Sequence, residues 1–190
     1  MVGVSAPMRR RSPDEFRSFI YGYGAGYLAG ATLLGLVTYE LGELLGAAVP
    51  LQVRSALLGL TLVALGMLDI LDRTPYAMRQ VPQRHVRNLR PGWRGVIWGA
   101  DLALVFTTQK TTSLVWAALL SVAFIAPSLA ALLVAIMVVT AIAQVIIGTL
   151  TSHIPGEGDA VRERYLVRWC RLIAGIGLTW LGVNMLLTHL

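Results

Sequence analysis

From Leu114 to Ile154 the chain carries no aspartate, glutamate, lysine or arginine. An apolar run of about 18 or more residues is long enough to cross a bilayer as a helix. This run is long enough for more than one crossing, and Pro127 punctuates it. Over the whole chain 56% of residues are hydrophobic and only 14% are charged. A soluble domain carries roughly a quarter charged residues, so this chain lacks the groups that would keep a soluble surface wet. The sequence describes an all-α integral membrane protein, and its 190 residues make one membrane domain.

Five apolar segments emerge, over about 19–45, 54–71, 96–125, 128–150 and 169–188. They predict a bundle of five transmembrane helices. Pro50 and Pro127 mark short turns after the first and third spans. The other connections, 72–95 and 151–168, are longer and basic. The arginines then vote on topology. Arg9, Arg10, Arg11 and Arg17 precede the first span. Arg73, Arg79, Arg84, Arg87, Arg90 and Arg94 follow the second, and Arg162, Arg164, Arg168 and Arg171 flank the fifth. With five spans all of these face one compartment. The positive-inside rule makes that compartment the cytoplasm, with residues 1–18 inside and the C-terminus outside. Arginine-rich, lysine-poor usage fits a high-GC bacterium, and the expected location is its cytoplasmic membrane. The net charge of +6 reads as topology signal and contact with anionic lipid head groups, not as a nucleic-acid interface.

The N-terminal arginines are followed by "SPDEF" where a signal peptide would place an apolar segment. Ser12 instead suits an N-cap, Pro13 the first helical position and Glu15 the acid of a capping box. A helix is expected from about Pro13 into the membrane.

The first and third segments are long. Arg17 to Pro50 and Arg94 to Pro127 would each make roughly 48 Å of helix at 1.5 Å per residue, against a hydrocarbon core of about 30 Å. They must protrude, tilt or break. The two align without a gap at an offset of 77. Arg17, Ile20, Gly22 and Pro50 match Arg94, Ile97, Gly99 and Pro127, which suggests a parallel repeat of two-helix units.

The third segment contains "LVFTTQKTTSLVW", in which the polar run Thr107–Thr112 interrupts an apolar stretch. On an unbroken helix Lys110 would lie roughly 21 Å past Val96. A charge inside a span costs at least about 2.5–3.5 kcal/mol unless water or a partner meets it. Two readings stand. Lys110 snorkels outward and pairs with Glu40 or Glu43 at the outer end of the first span. Alternatively, the third helix breaks near 107–112, and Thr107, Thr108, Gln109, Lys110, Thr111 and Thr112 line an intramembrane site for an anion or a proton relay. Asp101, Glu40 and Glu43 would offer counter-charge. Asp69 and Asp72 read as interface residues paired with Arg73 and its neighbours. Thr140 and Gln144 add polarity to the fourth span.

Gly22, Gly26 and Gly30 recur every four residues and form a flat stripe for close helix packing. Gly175 and Gly182 repeat the idea more loosely on the fifth span. The single cysteine, Cys170, excludes an internal disulfide and a CxxC pair. His85, His153 and His189 are too scattered to make a metal or haem site by themselves. No cofactor is expected.

"RPGWRGVIWGADLALVFTTQKTTSLVWAALLSV" resembles the membrane core of the CcdA-like electron carriers of cytochrome c biogenesis, where a glycine-rich helix start leads into a broken helix. "LLGLTLVALGML" and "RLIAGIGLTWLGVNMLL" are similar to other helices of that core. The resemblance implies a scaffold of helices two to six of a six-helix fold. It does not imply thiol chemistry, because Gln109–Lys110 stands where the family has its reactive cysteine and the family's first helix has no counterpart here. The expected function is a non-enzymatic carrier or channel-like protein, acting as a homo-oligomer or with other membrane subunits. The alternative is an accessory or structural subunit of a larger membrane complex.

Overall fold

The computed structural model describes residues 12–75, 88–104, 112–151 and 157–189. The order is α1 (Pro13–Ala48), α2 (Leu51–Ile70), α3 (Pro91–Ala103), α4 (Leu114–Ile125), a 3-10 turn (Pro127–Leu129), α5 (Ala130–Thr151) and α6 (Glu157–His189). No strand occurs among the described residues. Four stretches are long and apolar enough to cross a membrane: Pro13–Ala48, Leu51–Ile70, Pro127–Ile147 and Tyr165–Thr188. α4 is a shorter apolar helix. Large apolar side chains stand outward along the long helices. Leu33, Val139, Ile173, Trp180 and Leu187 are each more than half exposed. Each would raise the free energy in water by about 25 cal/mol per Å² of apolar surface and is at home in lipid.

Local signals explain the helix ends. α1 begins at Pro13, and the Ser12 carbonyl accepts the Phe16 N–H at 3.0 Å, with Asp14 and Glu15 in the positive first turn. Pro91 opens α3 in the same way. Only Val49 and Pro50 separate α1 from α2. The third apolar segment is not one helix. α3 stops at Ala103, where Leu104 turns to an extended conformation, and α4 starts at Leu114. The two pieces have 13 and 12 residues. Each is roughly 18–20 Å long, short of a bilayer core of about 30 Å.

The chain divides into two compact units. The first takes α1 up to Leu34, α3, and α5 from Val134. Its centre is a parallel seam. Gly22 lies against Gly92, Gly26 against Val96 and Gly30 against Ala100, a constant offset along both helices. A methyl group on Gly22 or Gly26 would overlap the backbone carbonyl opposite. α3 answers with its own small residues every four positions, Gly95, Gly99 and Ala103, all buried. Methyls on Gly95 and Gly99 would strike the carbonyls of Phe19 and Tyr23. Small residues on both faces let the backbones touch, which is how helices associate where lipid supplies no hydrophobic drive. Phe19, Tyr23 and Tyr27 are buried beside the seam, and the two tyrosine rings sit 5.9 Å apart.

The second unit takes α1 from Gly35, α2, α4, the 3-10 turn with the first residues of α5, and α6. Here the seam is antiparallel. Gly59 faces Gly182 and Gly66 faces Gly175, and each glycine's missing methyl would meet the facing glycine's carbonyl. Seven residues separate the glycines on each helix, two turns, so both stay on one face. Leu58, Leu62, Leu65, Ala117 and Leu178 form the core of this unit, with Trp116, Leu120, Phe124 and Met185 packed against it. Gly42 of α1 meets the end of α4, where a Cβ would come within 2.8 Å of the Ala123 carbonyl.

Candidate polar site at the start of α4

The C-terminus of α2 ends in a chain reversal that sets up the most buried charge described. The Arg73 N–H donates to the Leu68 carbonyl at 2.7 Å and the Asp72 N–H to the Asp69 carbonyl at 3.1 Å. This is the hydrogen-bond pattern of a Schellman motif, with Asp72 in the left-handed position at φ 61°. Glycine is the usual residue there. Aspartate is among the few others that tolerate it.

The reversal folds the next residues back over the end of α2, so that Thr74 reaches Asp69. The Thr74 hydroxyl donates to Asp69 Oδ1 at 2.7 Å. The Ser113 hydroxyl donates to the same oxygen at 2.7 Å, and the Ser113 N–H donates to Asp69 Oδ2 at 2.7 Å. Asp69 is 1% exposed, Thr74 4% and Ser113 0%, so this is an interior network, not a surface one. Hydrogen bonds to a charged acceptor contribute about 1.5–3 kcal/mol each, and together they offset the cost of burying a carboxylate. Ser113 precedes α4 but makes no side-chain cap of its own. The carboxylate of another helix caps it. The negative charge lies where the α4 dipole is positive. The Trp116 indole N–H, in the first turn of α4, donates to the Pro75 carbonyl at 3.3 Å.

The other end of α4 is held from the same helix. Arg54, in the first turn of α2, donates from Nη1 to the Phe124 carbonyl at 3.0 Å. That carbonyl lies in the last turn of α4, where helices leave acceptors unmatched. Asp72 forms an ion pair with Arg171 of α6.

Of the residues the sequence singled out, Thr107, Thr108, Gln109, Lys110 and Thr111 lie outside the described residues. Thr112 is half-buried next to Ser113. Asp101 is half-buried near the end of α3, in the first unit. Glu40 and Glu43 are exposed on the last turns of α1. Gly22, Gly26 and Gly30 form the α1 side of the parallel seam. Thr140 is exposed and bonds back to the Ile136 and Met137 carbonyls, and Gln144 is exposed. Cys170 is exposed and free. Asp69 differs from expectation. It is an interior carboxylate held by Ser113 and Thr74, not an interface residue paired with Arg73, and Asp72 finds its partner on α6. Ser113, Thr74 and Arg54 were not foreseen as partners. The available signal was the acid at the end of "LVALGMLD", since an ionisable residue in an apolar span is a site by default.

Ser113 sits beside Asp69, at the end of α2 that leads into the arginine-rich connection.

No protein-family model, curated protein or solved structure matches the chain.

Proposed function

We propose that the protein is a non-enzymatic, multi-spanning membrane carrier or channel-like protein. Its polar intramembrane site is formed by the interrupted stretch between α3 and α4. On this reading α3 and α4 together make the third of five spans. Lys110 and the surrounding threonines line the site. The observation that supports it is the start of α4, where an apolar helix too short to cross a bilayer begins on a buried carboxylate supplied by α2. Interrupted helices are where membrane carriers hold their solutes. Since Asp69 already occupies the N-terminus of α4, that terminus itself is closed to an anionic solute. An anion would have to be met by Lys110.

The arginine distribution supports an N-terminus in the cytoplasm of a bacterial cell and a C-terminus outside. A thin bundle of this size suits a homo-oligomer or association with other membrane subunits. Purified and reconstituted in vesicles, the protein should conduct or exchange a small ion. Lys110→Met should abolish that flux and leave the melting curve of the purified protein unchanged.

A second reading, an accessory or structural subunit of a larger complex, is favoured by the way Asp69, Thr74 and Ser113 satisfy one another within the chain. A fixed scaffold needs just such mutual satisfaction. If no flux is found, and a mild-detergent pull-down from native membranes recovers a foreign subunit in fixed ratio, this reading replaces the first.

A further inference from the structure

We propose that the cleft between the early turns of α1 and the start of α3 binds one anionic phospholipid, from the leaflet on the arginine-rich side. Its phosphate sits at Arg90 and Ser18, and an acyl chain leaves along Val96. The proposal is independent of the solute site, because every residue it uses lies in the first unit.

The cleft has a volume of about 350 Å³ and is lined by Ser18, Gly22, Arg90, Gly92, Trp93 and Val96. It follows from the parallel seam. Ser18 and Gly22 are one turn apart on α1, and Gly92 and Val96 are one turn apart on α3, so the faces that meet at the glycines also line the cleft. Glycine at position 92 keeps it open, since a methyl there would come within 2.9 Å of the Ser18 hydroxyl. The lining changes character along the helices. Arg90 and Ser18 stand at the end beside the arginine-rich connection, and Val96 lies about 9 Å further along α3. A cationic end followed by an apolar one matches an amphiphile, head group first, better than a free inorganic ion.

The charge of the cleft is not cancelled from within the chain. Arg90 is exposed and makes no ion pair or side-chain hydrogen bond among the described residues. Asp14, the acid one turn before Ser18, is paired with Arg17 at 3.8 Å. α3 has no acid in its first turn and no side-chain cap, so its positive end adds to the guanidinium. A phosphodiester supplies acceptor oxygens that a guanidinium can meet two at a time. Trp93 stands mostly exposed beside the cleft, an amphipathic ring of the kind that lies where membrane meets water. Basic pockets between membrane helices are where acidic head groups bind.

The test is native mass spectrometry of the intact protein in detergent, titrated with phosphatidylglycerol or phosphatidylcholine. The first phosphatidylglycerol should bind at least about tenfold more tightly than the first phosphatidylcholine, the scale of one charge-assisted hydrogen bond. Arg90→Gln should remove that preference. Arg168→Gln, which deletes the same charge from an exposed position on α6 in the second unit, should keep it. Ser18→Leu fills the cleft without altering a charge and should also lose the lipid. It decides the matter if Arg90→Gln does not fold. Equal binding of the two lipids overturns the proposal, as does equal weakening by Arg90→Gln and Arg168→Gln, which would spread the attraction over the whole basic face. Unchanged affinity in Ser18→Leu overturns it too. Competition by glycerol phosphate as strong as by the lipid would make the cleft a site for a free phosphate and overturn the assignment to a lipid.

Discussion

Arg54 and Asp69 stand at opposite ends of α2 and hold opposite ends of α4. The guanidinium takes a C-terminal carbonyl, and the carboxylate takes the N-terminal N–H. Each charge is opposite in sign to the dipole at its end. α2 thereby acts as a template that fixes both the position and the direction of a helix too short to cross a membrane by itself.

Removing the carboxylate should be costly. Asp69→Ala leaves three buried donors without an acceptor. Each unsatisfied buried group costs about 1–3 kcal/mol, so the variant should melt well below the parent in detergent. Asp69→Asn keeps one acceptor oxygen and should fall between the two. Thermal unfolding followed by circular dichroism gives the order. Equal melting of the alanine variant and the parent would show that the network contributes nothing.

At the other end, Arg54→Met strands the Phe124 carbonyl and should lower stability by about 1–2 kcal/mol. Arg54→Lys should recover part of that, since an ammonium on a shorter stem can reach the same acceptor. Denaturant titration in mixed micelles separates the two variants.

The glycines make opposite predictions at different positions. Gly177 has nothing within 4 Å of where a Cβ would stand. Gly177→Ala should stabilise by up to about 1 kcal/mol through helix propensity alone. Gly26→Ala adds the same methyl against the Val96 backbone, which no rotamer change can move aside. It should destabilise by about 1–3 kcal/mol, as overpacking does. Measuring both in one unfolding assay isolates the seam from general helix effects.

Asp72 occupies a left-handed backbone position and also pairs with Arg171. Asp72→Gly relieves the conformational cost, about 1–2 kcal/mol for an L-residue, while losing the Arg171 pair, solvated on the Asp72 side only and worth about 1 kcal/mol. It should be neutral or slightly stabilising. Asp72→Ala loses the pair and strains the turn, and should be the less stable of the two in the same melt.

The helices were largely legible, because uncharged length and proline position are local properties. Pro13, Pro50 and Pro127 fall where helices start or stop in the structure. The division of the third segment was legible only as one of three ways to accommodate its length. The glycine stripe of α1 was plain at a spacing of four. Its counterpart on α3 was not, because Gly95, Gly99 and Ala103 end in an alanine and lie among other glycines. Gly59 and Gly66 make no recognisable pair until Gly175 and Gly182 are opposite them. The Asp69 network was hidden for a different reason. Ser113 and Thr74 are ordinary residues in sequence, and they become partners only because a backbone reversal and a helix start meet at one carboxylate. Pairing between distant segments leaves no periodic trace.

The parallel seam between α1 and α3 limits how those helices can slide. Because Gly22 and Gly26 lie against carbonyls on α3, and Gly95 and Gly99 against carbonyls on α1, a shift of one or two residues would drive side chains into the opposite main chain. A displacement along this seam has low-energy stopping points only where small residues again face backbone, one helical turn away, or about 5–6 Å. Motion there would be a ratchet of discrete steps, and thermal fluctuations smaller than a turn would leave the pair in its original register.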